Sequence, residues 1–133
     1  MKITKHISFY FSTDRIIYIN NIIDETNKYE YTTDIFIHTN NIDLQESIFN
    51  NYTNGCITII YHDLSNIHPF YLTWKCRELL KQQKNEYDVF IYIEDDILIP
   101  YKAIKYCPIL YGNFLVRIIY ICLYNYIIVN KYD

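Results

Sequence analysis

Glycine occurs only twice in 133 residues, at Gly55 and Gly112, and never in a cluster. No glycine-rich loop therefore exists to cradle phosphates on backbone N–H groups. The four cysteines, Cys56, Cys76, Cys107 and Cys122, are widely spaced with no C-x-x-C. That spacing excludes a zinc knuckle and a redox pair, and leaves them as small apolar residues in a reducing compartment. Basic runs are missing too, and the net charge is −3, which speaks against a nucleic-acid binder. The N-terminal "MKITKHISFYF" lacks the long apolar stretch of a signal peptide, so a cytoplasmic location is expected. The sequon Asn51-Tyr52-Thr53 is then a chance occurrence.

What is present is an apolar and aromatic chain: 51% hydrophobic residues against 20% charged. This is enough for a packed core, and the length suits one domain rather than two. Isoleucine (26), tyrosine (16) and asparagine (13) dominate. All three have AT-rich codons, so their abundance records coding bias as well as function.

Strand-like runs alternate with helix-like ones. The strands are "HISFYF" (6–11), "TDIFIHTNN" (33–41), "GCITIIYHD" (55–63) and "DVFIYIEDD" (88–96). Between them, 15–29 has isoleucines at helical spacing behind a possible Thr13 or Asp14 cap, and 42–52 forms a second candidate helix with Asn41 as its cap. The third, 65–87, has Pro69 in its first turn and two stripes. Leu72, Cys76, Leu79 and Leu80 make one; Phe70, Trp74, Arg77 and Lys81 lie roughly opposite. The alternation predicts parallel β-α-β units, with continuous apolar runs as central strands. The tail, 107–133, is β-branched and aromatic. Its run 114–129 contains Arg117 and Asn125, both costly in lipid, so a pair of strands or a poorly packed extension is expected and a membrane anchor is not.

Three consecutive carboxylates, Glu94, Asp95 and Asp96, close the fourth strand. Like charges side by side in an apolar run need solvent, donors or a cation to offset their repulsion. In open parallel sheets ligands sit beyond the carboxyl ends of the strands. A hard cation such as Mg²⁺ or Mn²⁺, held by one or two carboxylates and a substrate diphosphate, suits that position. The competing reading is a solvated turn. His62-Asp63 looks like a coupled pair, but adjacent strand residues point to opposite faces, which discounts a dyad.

"FIYIEDDILIPYKAIKY", preceded by "HPFYLTWKCRELL", resembles the DXD region of GT-A glycosyltransferases in its Glu-Asp-Asp form. The likeness covers 6–106 in the order of elements and 68–106 in local detail. It implies a GT-A-like, Rossmann-like α/β fold, a mostly parallel sheet with flanking helices, of which 1–106 is the nucleotide-sugar-binding half and 107–133 a separate apolar tail. It further implies a UDP- or GDP-linked sugar donor and a Mn²⁺ or Mg²⁺ ion on Asp96, with Asp95 as a second ligand. Glu94 and Asp95 would hold ribose, sugar or metal-bound water. Phe11, Ser12, Thr13 and Arg15 would approach the nucleotide, with His38, Thr39 and Asn40 as further candidates for base contacts. Arg77 and Lys81 either face the cleft and offset the diphosphate or form a solvated helix face. His68 is either a helix cap or a ligand contact.

The chain departs from that family after the acids. No His or Glu follows Asp96, and the only later carboxylate is Asp133, so no general base is evident. The expectation is a glycosyltransferase or a truncated relative that keeps donor binding. The alternative is an inactive α/β remnant or interaction module.

Overall fold

The computed structural model describes residues 1–105 with their side chains, and the backbone of 117–122 and 125–130. The elements are β1 (Ile3–Phe9), α1 (Ile16–Thr26), β2 (Thr33–Thr39), β3 (Ile57–Tyr61), α2 (Leu72–Lys75), α3 (Arg77–Gln82), β4 (Val89–Glu94), α4 (Tyr101–Lys105), β5 (Arg117–Cys122) and β6 (Asn125–Asn130). They form an α/β fold around one six-stranded sheet of order β3-β2-β1-β4-β5-β6. β1 to β5 pair in parallel and β6 pairs antiparallel to β5. The order runs outward from β1 on one side and resumes with β4 on the other. The carboxyl ends of β1 and β4 are thus the point where strand order reverses.

Each expected strand is present; the second, third and fourth are shorter at their ends than expected, while the first begins at Ile3 rather than His6 and stops at Phe9 rather than Phe11. Alternation then divides the side chains of β1 between two faces. Ile3, Ile7 and Phe9 enter the main core with Ile19, Ile22 and Ile23 of α1, Ile35 and Ile37 of β2, and Ile91 and Ile93 of β4. Thr4, His6 and Ser8 enter the other face, where Cys76, between α2 and α3, and Leu80 of α3 pack near Phe90 and Tyr92.

The main core also encloses a lysine. Lys5 is 1% exposed, and its Nζ donates to Thr26 Oγ1 (2.7 Å) and Tyr29 Oη (2.9 Å), lying 4.3 Å from the Tyr29 ring centroid. Thr26 and Tyr29 spend their own hydroxyl protons on the carbonyls of Ile22 and Ile99. Burial pushes the Lys5 amine down to about 7, partly opposed by the nearby Glu25 carboxylate.

Two expected helices differ from the sequence reading. Residues 42–52 form only a short 3-10 turn, Glu46–Phe49. Asn41 does not cap a helix; its side chain accepts from the N–H of Asp43 in a local turn. Glu46 in turn reaches across to accept the N–H of Ile59 on edge strand β3. The 65–87 segment divides into a 3-10 turn, Pro69–Tyr71, then α2 and α3, interrupted at Cys76. His68 caps it, its Nδ1 accepting from the Phe70 N–H at 3.1 Å, with Pro69 in the first turn. Ahead of α1, Thr13–Arg15 is a 3-10 turn, and neither Thr13 nor Asp14 makes a side-chain cap bond to the helix.

In the tail, β5 and β6 realise the expected pair of strands and continue the sheet from β4. How tightly the 107–133 side chains pack, and the division at residue 106, lie outside the described residues. No helix among the described residues is long and apolar enough to cross a membrane.

Candidate functional site

The ladder between β1 and β4 carries the acids to the end of the sheet. Ser8 stands opposite Glu94, and the Asp95 N–H donates to the Ser8 carbonyl at 3.1 Å. The Ile97 N–H then returns to the Glu94 carbonyl, so the acids occupy a tight turn. Past β1 the chain turns out of the sheet ahead of the 3-10 turn Thr13–Arg15. Asn40, at the end of β2, holds this turn by accepting the Phe11 N–H at 2.8 Å. Between these turns and the 69–73 segment lies a cleft of about 430 Å³.

Of the residues expected here, Phe11, Ser12, Arg15, Glu94 and Asp95 all line that cleft. They come from two stretches about eighty positions apart in the chain. Thr13 is exposed on the 3-10 turn and is not part of the lining; Asp96 is not part of it either, its side chain being 39% exposed beside Arg15. Arg77 does not line the cleft; its guanidinium carbon stacks 3.7 Å from the Trp74 ring centroid. Lys81 is exposed and pairs with Glu78. Both therefore belong to the solvated-face alternative.

Arg15 supplies the charge that offsets the acids. Its Nε donates to Asp95 Oδ2 (2.6 Å) and its Nη2 to Asp95 Oδ1 (3.0 Å), a two-pronged pair. The same Nη2 lies 3.5 Å from Asp96 Oδ2. Asp95 is 6% exposed and Arg15 partly exposed, and the pair joins the β1–α1 turn to the end of β4. Glu94 has no such partner. Burial, and then the Asp96 and Asp95 charges, raise its carboxyl above the usual range, with Arg15 pulling the other way. Asp95 being engaged, Asp96 and Glu94 are the carboxylates open to a cation. Among the described residues no group of three or more His, Cys, Asp or Glu is gathered for a metal. One or two carboxylates suffice, however, where water and a diphosphate complete the shell.

The remaining cleft lining escaped the sequence reading: Ser8, Tyr10, Pro69, Phe70, Leu72 and Thr73. Ser8 had a signal. It is the third polar residue of the alternation Thr4, His6, Ser8 in a strand whose other residues, Lys5 apart, are apolar, and it bonds to Tyr92 Oη at 2.9 Å.

That alternation also leads to a feature the sequence reading missed. His38 and His62 do not serve the cleft or an Asp63 dyad; they form a chain with His6. His6 Nε2 meets Gln83 Oε1 (2.9 Å), His6 Nδ1 meets His38 Nε2 (2.9 Å), and His38 Nδ1 meets His62 Nε2 (2.8 Å). The Gln83 oxygen can only accept, so each ring must carry its proton on Nε2. The rings lie edge to edge, within 23° and 14° of parallel, across β1, β2 and the end of β3. An amide cannot take a proton onward, so the chain ends at Gln83 and acts as a polar tie between three strands. Burial pushes His6 down to about 4 and His38 to about 3, the latter helped by its two imidazole neighbours. His62 is lowered too, by burial and then by Lys75.

Stability should therefore fall as the pH drops below about 6.5, where the unfolded imidazoles take protons that the folded ones refuse. The loss continues toward the folded values near 4 and 3. Urea denaturation is expected to show about 2 kcal/mol or more lost between pH 7 and pH 5. A flat profile over that window would contradict the buried neutral chain.

No family model matches the chain, and no significant match exists among curated proteins or solved structures.

Proposed function

We propose that this chain binds a nucleoside-diphosphate sugar in the cleft between the ends of β1 and β4, as the donor-binding part of a GT-A-like glycosyltransferase. The observation that carries this reading is the meeting of the β1 turn, with Phe11, Ser12 and Arg15, and of Glu94 and Asp95 from the acidic turn in one cavity at the strand-order reversal. Phe11 and Phe70 offer flat apolar walls to a base or sugar ring. Arg15 offers a guanidinium to the diphosphate. Asp96, exposed beside Arg15, suits a Mn²⁺ or Mg²⁺ ion that would bridge to the phosphates, with Glu94 close in sequence.

The test is calorimetry with uridine and guanosine diphosphates, with and without Mn²⁺. Binding should require the metal. Asp96→Asn should weaken it by about tenfold or more while leaving the circular dichroism spectrum unchanged. Equal affinity with and without metal, or in wild type and variant, would refute the reading.

A second reading has its own observation. The Arg15–Asp95 pair satisfies the buried acid with no ligand at all. On that reading the acidic turn is a structural tie, and the chain is an α/β module without donor binding. Absence of nucleotide binding under every metal condition would select it.

A further inference from the structure

We propose that the exposed face of the 67–84 segment docks on an anionic lipid bilayer. Four large apolar side chains of this segment stand in solvent: Ile67 (40% exposed), Phe70 (70%), Tyr71 (55%) and Trp74 (52%). Grouped exposure of this kind marks an interaction surface rather than an ordinary scatter of apolar residues. Phe70, Trp74, Arg77, Lys81 and Lys84 are all exposed along this segment. Leu72, Cys76 and Gln83 alternate with them and are buried. The sheet thus holds one face of the segment, and the other presents aromatics at its start and cations at its end.

The charge says what covers this face. From 64 to 85 the chain has four cations, Lys75, Arg77, Lys81 and Lys84, against one acid, Glu78, a balance of +3. The remainder has eight cations and fourteen acids, a balance of −6. A negative surface attracts this face and repels the rest, which fixes orientation as well as affinity. A second copy would instead set one positive face against another. Trp74 and Arg77, stacked as a pair, combine a ring suited to headgroup depth with a cation suited to phosphate. The Lys81–Glu78 pair is exposed on both sides and holds Lys81 only weakly. Docking of this sort needs no spanning helix and no unfolding. It departs from the sequence expectation of no membrane association, which rested on the absence of an anchor. It does not depend on nucleotide binding in the cleft, although Phe70 borders both surfaces.

Trp74 is the only tryptophan, so its fluorescence reports on this face alone. The full chain should co-sediment with vesicles of mixed phosphatidylcholine and phosphatidylserine. Its emission should shift to the blue on binding and be quenched by brominated lipids, and high salt should release it. The double variant Arg77→Glu/Lys81→Glu, both exposed positions, should retain the wild-type circular dichroism and partition at least ~tenfold less. Three results would overturn the proposal: no sedimentation with anionic vesicles, equal binding to pure phosphatidylcholine, or a blue shift that follows protein concentration without lipid, which would assign the face to a second copy. An emission shift produced equally by heparin would also overturn it, since a soluble polyanion offers no apolar interior.

Discussion

Replacing Lys5 by methionine should make the protein more stable, by roughly 3 kcal/mol at neutral pH. The native amine has lost its water, and burial holds it near 7, far below the 10.5 of a solvated lysine. An unfolded chain regains that difference, worth about 1.4 kcal/mol for each pH unit. Methionine has a similar length and fills the same channel without needing acceptors. The groups left behind are not orphaned, because Thr26 and Tyr29 already donate to the Ile22 and Ile99 carbonyls. What is lost is two accepted bonds and the contact with the Tyr29 ring, which reduces the gain but does not cancel it. The sign can be checked by pH. Above 7 the unfolded state binds a proton that the folded state does not, so wild-type stability should rise toward pH 9. Lys5→Met should lack that rise. Urea denaturation of both proteins at pH 7, 8 and 9 reads it directly. A variant less stable than wild type at pH 7 would show that the amine is a net asset.

Replacing Arg15 by methionine should have an effect of similar size and opposite sign. Asp95 would remain buried with neither of its two guanidinium bonds, and stranding one partner of such a pair costs about 3 kcal/mol or more. The asymmetry between partners sharpens the test. The Arg15 side chain is 41% exposed and can turn to water, whereas that of Asp95 is 8% exposed and cannot. Asp95→Asn should therefore cost less than Arg15→Met. The double variant should recover most of the loss, so the two single effects will not add. Additive losses in chemical denaturation would mean that the pair contributes no coupling to the fold.

Much of the sheet was legible because its signal is local. "FIYI" reads as a buried central strand and is one, whereas "ITII", equally apolar and expected to be central, forms the partly exposed edge strand β3, because local composition does not tell which strand ends the sheet. The position of Glu94, Asp95 and Asp96 at a strand end followed from the same pattern. The interruption at Cys76 was not legible, because Leu72, Cys76 and Leu80 keep helical spacing straight through it. Asn41 misled for another reason: its side chain serves a local turn as readily as a helix cap. The Arg15–Asp95 pair spans eighty positions, and nothing near either residue announces the other. The imidazole chain is similar: His6, His38 and His62 each look like a lone histidine until the parallel register, which sets His6 beside Phe36 and His38 beside Ile60, brings them diagonally together. Lys5 broke the pattern outright, since a lysine in a strand normally predicts a face turned to water.

Asn54 and Gly55 close the connection into β3 in a conformation few sequences could copy. Gly55 has φ +155°, and a Cβ there would fall onto the Thr33 carbonyl oxygen, so glycine is required. Asn54 turns its amide nitrogen to three carbonyls, those of Thr26, Tyr29 and Tyr31, at 3.1, 3.2 and 3.0 Å. Asparagine followed by glycine is also the dipeptide that ages fastest in solution, because the next backbone nitrogen attacks the side-chain amide and releases ammonia. Here that amide is clamped, and its conversion to a carboxylate would turn three attractions into three repulsions. The contacts that hold this amide should therefore slow the loss of ammonia at Asn54 in the folded chain relative to the unfolded one.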